Sequence, residues 1–273
     1  MDEGGETVRV LENIGSETMR RMMSALAIAL ATAGCAAPMQ AQAGEITVYS
    51  VGLVGSAFDK LIAQWSAKTG NKVNLPIPLA NAPLGVITDT IAKQPADVAI
   101  LPVADMTTHS AEFRAGSRRD VGRVLFGIGM RAGEPVPKIG TAEELKAALA
   151  GKTVLINNPA ASISGRMVKA VLDGPGFETA KQDPQPNNTA LVLASRPQDY
   201  VVMGVVPEQI MAAPGVKTVA EVPASLGLKI DFAGGVLTKA ANPDLAAAFL
   251  AYLVSPEAQT VWKAGGVAVP IPK

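Results

Sequence analysis

The chain has 273 residues, with 24 basic and 24 acidic side chains and one histidine, for a formal net charge of zero. Balanced charge argues against a nucleic-acid surface, which needs a basic face, and the length allows one large domain or two smaller ones. One cysteine and one histidine leave no basis for a zinc site or for Cys/His or Ser/His/Asp chemistry, so no catalytic residue, metal site or cofactor is expected.

The first 43 residues are not expected to join the folded body. Residues 1–18 carry Asp2, Glu3, Glu6, Glu12 and Glu17 against Arg9. That is a poor start for an export signal, and the stretch reads as a non-native upstream extension; a genuine N-terminal extension is the alternative. From Met19 the pattern changes. Met19-Arg20-Arg21 is basic, Met22 to Ala33 is an uncharged apolar run, and Ala41-Gln42-Ala43 has the small residues of a cleavage site. Residues 19–43 therefore read as a secretory signal peptide, with an apolar run too short to span a bilayer comfortably. The mature chain would be Gly44 to Lys273, located in the periplasm, with 21 basic against 19 acidic residues. Cys35 has two readings. It is a passive residue of the signal, or Ala33-Gly34-Cys35 is the end of a lipobox and Cys35 is lipidated.

Beyond Gly44, strand-like and helix-like segments alternate. Ile46 to Ser50 is β-rich. A glycine turn from Gly52 to Ser56 leads to a helix with Phe58, Leu61, Ile62 and Trp65 on one face, ended by Gly70. Val73 to Ile77 reads as a strand, and Asn81-Ala82-Pro83 opens a helix through Leu84, Ile87 and Ile91. Ala96 to Leu101 is a continuous apolar run, as expected of a strand buried on both faces. Val121 to Arg131 reads as one extended segment. Thr141-Ala-Glu-Glu144 is a capping box for a helix through Leu145 and Leu149. Lys152 to Ile156 is a strand, and Asn157-Asn158-Pro159 turns into a helix near Ser164. Asp183 to Asn188, rich in Pro, Asn and Gln, reads as a surface loop. Tyr200 to Val206 and Ala233 to Lys239 read as strands. Pro243 to Leu253 and Pro256 to Lys263 are helices with proline near the N-terminus.

Strand–helix–strand units build sheets with helices on both faces, and ligands collect beyond the carboxyl ends of such strands. Four turns qualify: Ser50 to Ser56, Asn81 to Gly85, Pro159 to Gly165, and Asn188-Thr189. Gly52-Leu-Val-Gly55-Ser56 lacks the Gly-Lys-Ser/Thr ending of a phosphate loop. His109 reads as a loop residue, and Trp65 and Trp262 as core.

Several of these segments resemble the periplasmic molybdate-binding protein family, a branch of the type II periplasmic solute-binding proteins of ABC transporters. The likeness lies in Ile46 to Ser50 with its helix, in Gln94-Pro-Ala-Asp97-Val-Ala-Ile, in Asn158-Pro-Ala-Ala-Ser-Ile-Ser164-Gly165-Arg166, and most specifically in Asn242 to Gln259. The resemblance implies an α/β fold of two lobes, each a mixed sheet flanked by helices, joined by two crossover strands. Lobe 1 would hold residues 44–126 and 232–273, and lobe 2 residues 127–231. It implies capture of a small ligand between the lobes, either an oxyanion such as molybdate or tungstate or a small organic solute, for an ABC permease. The chain would act as a monomer. A ligand-sensing module working with a receptor, or an enzyme on the same fold, is the alternative.

The family holds its oxyanion with hydroxyls and backbone N–H groups. Its first-loop serine falls near Leu53, flanked by Ser50, Gly52 and Ser56. Its second, serine-rich loop falls on Asn81-Ala82-Pro-Leu. The alanine whose N–H meets the anion falls at Ser164, with Ser162 close by, and the tyrosine of the last contact falls at Pro207. Thr189 joins this expected ligand set as the hydroxyl of the fourth turn.

Overall fold

The computed structural model describes residues 43–52, 55–78, 84–186 and 189–269. The expected upstream extension and signal segment through Gln42, with Cys35, and also Leu53, Asn81, Ala82 and Asn188, lie outside the described residues.

The first stretch of chain runs β1 (Glu45–Ser50), α1 (Gly55–Thr69), β2 (Lys72–Asn74), α2 (Leu84–Lys93), β3 (Val98–Pro102), α3 (Val103–Thr108) and β4 (Arg119–Leu125). The middle runs β5 (Gly127–Arg131), α4 (Ala142–Leu149), β6 (Thr153–Asn157), α5 (Ile163–Leu172), β7 (Lys181–Gln185), α6 (Thr189–Leu193), β8 (Tyr200–Val205), α7 (Pro207–Met211) and β9 (Val216–Glu221). The chain then returns through β10 (Lys229–Val236), α8 (Pro243–Leu253), α9 (Pro256–Ala264) and β11 (Val267–Ala268).

These strands form two mixed sheets. One is ordered β11-β4-β10-β3-β1-β2 and the other β7-β6-β8-β5-β9. β3 is buried along its whole length, as its unbroken apolar run requires of a strand covered on both faces. The Thr141 capping box is formed, with Glu144 N–H donating to the Thr141 hydroxyl and the Glu144 carboxylate accepting from Thr141 N–H. Segment 121–131 is not one strand. It breaks at Phe126 and feeds β4 to the first sheet and β5 to the second. Asp183, Pro184 and Gln185 belong to edge strand β7 and not to a surface loop. The edge position tolerates a proline that could not donate in the middle of a sheet.

Strand directions set the relation between the sheets. β1 and β3 are parallel, and β10 runs antiparallel to both β3 and β4. β1, β3 and β4 therefore all point the same way, and β4 leads through Phe126 straight into β5. β8 is antiparallel to β5, while β6 is parallel to β7 and to β8. β6, β7 and β8 thus point back toward the first sheet. The carboxyl ends of β1 and β3 and those of β6, β7 and β8 face each other across the seam. The return passage is residues 222–228, and Val222 N–H donates to Phe126 O (2.8 Å), tying the two crossings together.

Three features hold the first sheet's layers. The Phe58 and Trp262 rings stack at 6.1 Å, and Trp65 meets Phe249 edge-on at 5.0 Å, so α1, α8 and α9 share one aromatic core. Asp97, at the entry to β3, is 4% exposed and accepts from Thr47 N–H and Asn242 N–H, both at 2.8 Å. Arg123 and Asp231, paired across β4 and β10, form a two-pronged ion pair at 2.6 and 3.0 Å beside the crossings.

Arg123 donates to the Asp231 carboxylate and holds it below the usual carboxylate range, against the opposing effect of partial burial. A carboxyl depressed in the folded state stabilises above its unfolded pKa, and that contribution is lost as pH falls through the folded value. Asp231→Asn is therefore expected to lower stability near neutral pH and to erase part of the acid dependence below about pH 4, the unfolded aspartate range. Urea melts of both proteins between neutral and acid pH check this. Parallel curves at all pH values would show that the pair contributes nothing.

Candidate functional site

Those expected residues that are described sit where the chain leaves the facing strand ends. On the first sheet, Ser50 ends β1, is 1% exposed, and donates its hydroxyl to Val51 O (3.3 Å). Gly52 follows in the turn, and Ser56 lies exposed in the first turn of α1. Gly55 opens that helix at φ +44°, a conformation costly for other residues.

On the second sheet the residues are tied to one another. Ser162 caps α5, its hydroxyl accepting from Gly165 N–H (3.3 Å). The Ser162 and Ser164 hydroxyls are 2.9 Å apart, and the Asn157 side-chain amide donates to Ser164 Oγ at 2.9 Å. Thr189, opening α6, donates its hydroxyl to Asn157 Oδ1. Ser164 and Thr189 are buried, at 1% and 2% exposure, while Asn157 and Ser162 are half-buried. Gly165 lets this happen: a side-chain carbon there would overlap the Asn157 carbonyl, so only glycine brings the α5 N-terminus this close to the end of β6.

Pro207 opens α7 after β8, half-buried, with its carbonyl accepting from Thr218 Oγ1 (3.3 Å). It has no N–H to offer a ligand. The structure thus brings Ser162, Ser164 and Thr189 into one network and puts Ser50, Gly52 and Ser56 on the opposite strand ends. Asn157, the network's central member, carries only a turn signature in the sequence. Its role depends on β7 and α6 lying beside β6, which no local pattern reveals.

Among the described residues, no lysine or arginine hydrogen-bonds to this network. It can bind a solute through neutral dipoles, with the unpaired N–H groups of helix N-termini adding positive potential. No group of three or more His, Cys, Asp or Glu suited to a metal occurs among the described residues.

A cavity of about 880 Å³ opens elsewhere, lined in part by Met130, Arg131, Ile139, Leu149, Lys152 and Val201. Lys152 and Val201 mark the amino ends of β6 and β8, and Arg131 the far end of β5. This cavity is at the pole of the second sheet away from the seam. Its Arg131 is already engaged by Glu134 (3.1 Å) and Arg196 O (2.5 Å).

The fold recurs widely. The chain superposes on the periplasmic molybdate-binding protein of Azotobacter vinelandii with a TM-score of 0.63 at 16% identity, over 82% of this chain and 99% of that one. The sulfate-binding protein SubI of Mycobacterium tuberculosis H37Rv gives 0.60 at 17% identity, over 83% and 88%. The ferric binding protein of Campylobacter jejuni gives 0.56 at 14% identity, over 81% and 84%. Solutes of opposite charge are named among these relatives, so the shared scaffold leaves ligand chemistry to the loops. No curated protein matches the chain significantly. The family model described as bacterial extracellular solute-binding protein matches residues 46–268, and the chain belongs to that family.

Proposed function

We propose that the chain captures a small oxyanion of the molybdate, tungstate or sulfate type at the seam between its sheets and delivers it to an ABC permease. One observation carries this reading: strand ends of two sheets face each other, and on the second sheet Asn157, Ser162, Ser164 and Thr189 form a hydrogen-bonded group of uncharged hydroxyls and an amide at the helix N-termini. Neutral donors stabilise an anion without neutralising it, which suits a solute that must later be released. Ser50, Gly52 and Ser56 would serve from one side and Ser162, Ser164 and Thr189 from the other, with Leu53, Asn81, Ala82 and the backbone around Pro207 completing the set.

The lobes would be residues 44–125 with 229–273, and 127–221, which moves the second boundary back from the expected residue 231. β10 lies wholly in the first sheet from Lys229, so we draw the hinges at Phe126 and at residues 222–228. Closure about such crossings is a hinge motion of the kind binding proteins use. The register shifts in β5 at Gly127/Ile128 and Ile128/Gly129 fall beside the first crossing.

Export would use residues 19–43 as the signal, with the protein acting as a monomer in the periplasm. Mass spectrometry of the exported protein distinguishes cleavage before Gly44 from a lipid on Cys35. No helix among the described residues is long and apolar enough to cross a membrane.

A thermal-shift and calorimetry screen with molybdate, tungstate, sulfate and small organic acids tests the ligand class. An anion present at a hundred times its Kd should add about 2.7 kcal/mol of apparent stability. A shift with an organic acid and none with the inorganic anions would replace the oxyanion with a carboxylate solute.

A further inference from the structure

We propose that Asn157 is a positioning residue that sets the direction of the hydroxyl protons at this site, so that one hydroxyl is always left to donate outward and the site selects hydrogen-bond-accepting solutes. This deepens the oxyanion reading and rests on it.

The inference comes from counting protons. The Thr189 hydroxyl donates to Asn157 Oδ1, and the Asn157 amide donates to Ser164 Oγ. Ser164 is 1% exposed, and an unused hydroxyl proton at such a position costs about 1–3 kcal/mol. Its proton is therefore committed to Ser162 Oγ, 2.9 Å away. Ser162 Oγ accepts from both Ser164 and Gly165 N–H, and its two lone pairs are filled. The Ser162 proton, on the half-buried member of the chain, has no acceptor left within the network and points away from it.

An amide is what makes the count come out this way. It carries one acceptor atom and one donor group at its end, so Asn157 receives a proton at Oδ1 and passes one on at Nδ2. If the amide turned over, the order would reverse and the spare proton would fall on Thr189, which is 2% exposed, so the same burial cost disfavours that orientation. A carboxylate would break the rule, because both its oxygens accept. Thr189 and Ser164 would each donate to it, Ser162 would turn inward to donate to Ser164, and no proton would be left over.

The decisive experiment is a double-mutant cycle of Asn157→Asp and Ser162→Ala in the full chain. Affinity would be read by calorimetry with molybdate, tungstate and sulfate, and folding by the melting temperature without ligand. Ser162→Ala alone should weaken the anion about tenfold or more, the usual value of one hydrogen bond to a charged group. Asn157→Asp alone should weaken it at least as much while the melting temperature holds. Adding Ser162→Ala to Asn157→Asp should then cost no more than about twofold, because Ser162 has already turned inward. That lack of additivity is what a purely structural asparagine would not produce. Fully additive losses, or anion binding unchanged in Asn157→Asp, overturn the relay and leave the oxyanion reading standing. If no oxyanion binds the wild-type chain, the oxyanion reading fails first and the inference goes with it.

Discussion

Trp262→Ala is expected to destabilise the protein by about 4 kcal/mol, the range for deleting a fully buried aromatic. Trp262 has no exposed surface. Its ring stacks on Phe58 with planes 11° apart, and its Nε1 donates to Leu253 O at 2.8 Å. Truncation leaves a cavity between α1 and α9 and removes the partner of a buried carbonyl, so two costs add. In a chain of this size that is a fall in Tm of roughly 10 °C. Val86→Ala is the matched control. Val86 is 48% exposed, and its loss should change stability by less than about 0.5 kcal/mol. Chemical denaturation of both variants measures the difference. Equal midpoints would show that the Trp262 ring is not packed as described.

The second large effect is Asp97→Ala, with an expected loss of about 3 kcal/mol. Two backbone N–H groups from sequence-distant segments, those of half-buried Thr47 and exposed Asn242, each lose a hydrogen bond to a carboxylate, worth about 1.5–3 kcal/mol. Asp97 ties β1 to the entry of β3 and both to the entry of α8, 145 residues away. Asp97→Asn keeps one acceptor oxygen but turns an amide donor toward the other N–H, and should lose nearly as much. A lower denaturant midpoint with an unchanged slope is the expected signature, since the folded state keeps its compactness. A variant as stable as wild type would mean that water or another group satisfies both donors.

Asp97 also shows what was legible in the sequence. Its Pro-Ala-Asp context resembles the family's strand start, and the apolar run Val98 to Leu101 that follows has the length and continuity of a strand covered on both faces. Elements with strong local signatures were readable in the same way: the Thr141 capping box, the proline-led helices α8 and α9, and the face of α1 built from Phe58, Leu61 and Trp65. The failures share a physical cause. Nothing local separates Leu125 from Gly127, yet the chain changes sheets between them. Pro184 argues against a strand, and only its edge position admits it. β9 pairs with β5 from the far side of the second sheet, a contact set by tertiary packing.

The candidate site divides along the same line. Ser162 and Ser164 were findable because a strand followed by a serine-bearing turn and a helix is a local pattern. Asn157 was not, because its partners come from α5 and from α6, and the closeness of Gly165 that aligns them exists only in the folded chain. The division of labour between sheets follows from strand direction, which needs the whole pairing order.

The most direct measurement is a crystal structure of the full chain with the first oxyanion that raises its Tm. The anion is expected at the seam, within hydrogen-bond distance of Ser162 and of groups between Ser50 and Ser56, with the two sheets drawn together. An anion found instead in the 880 Å³ cavity beside Arg131 and Lys152, with the strand ends at the seam untouched, would contradict the neutral-donor site.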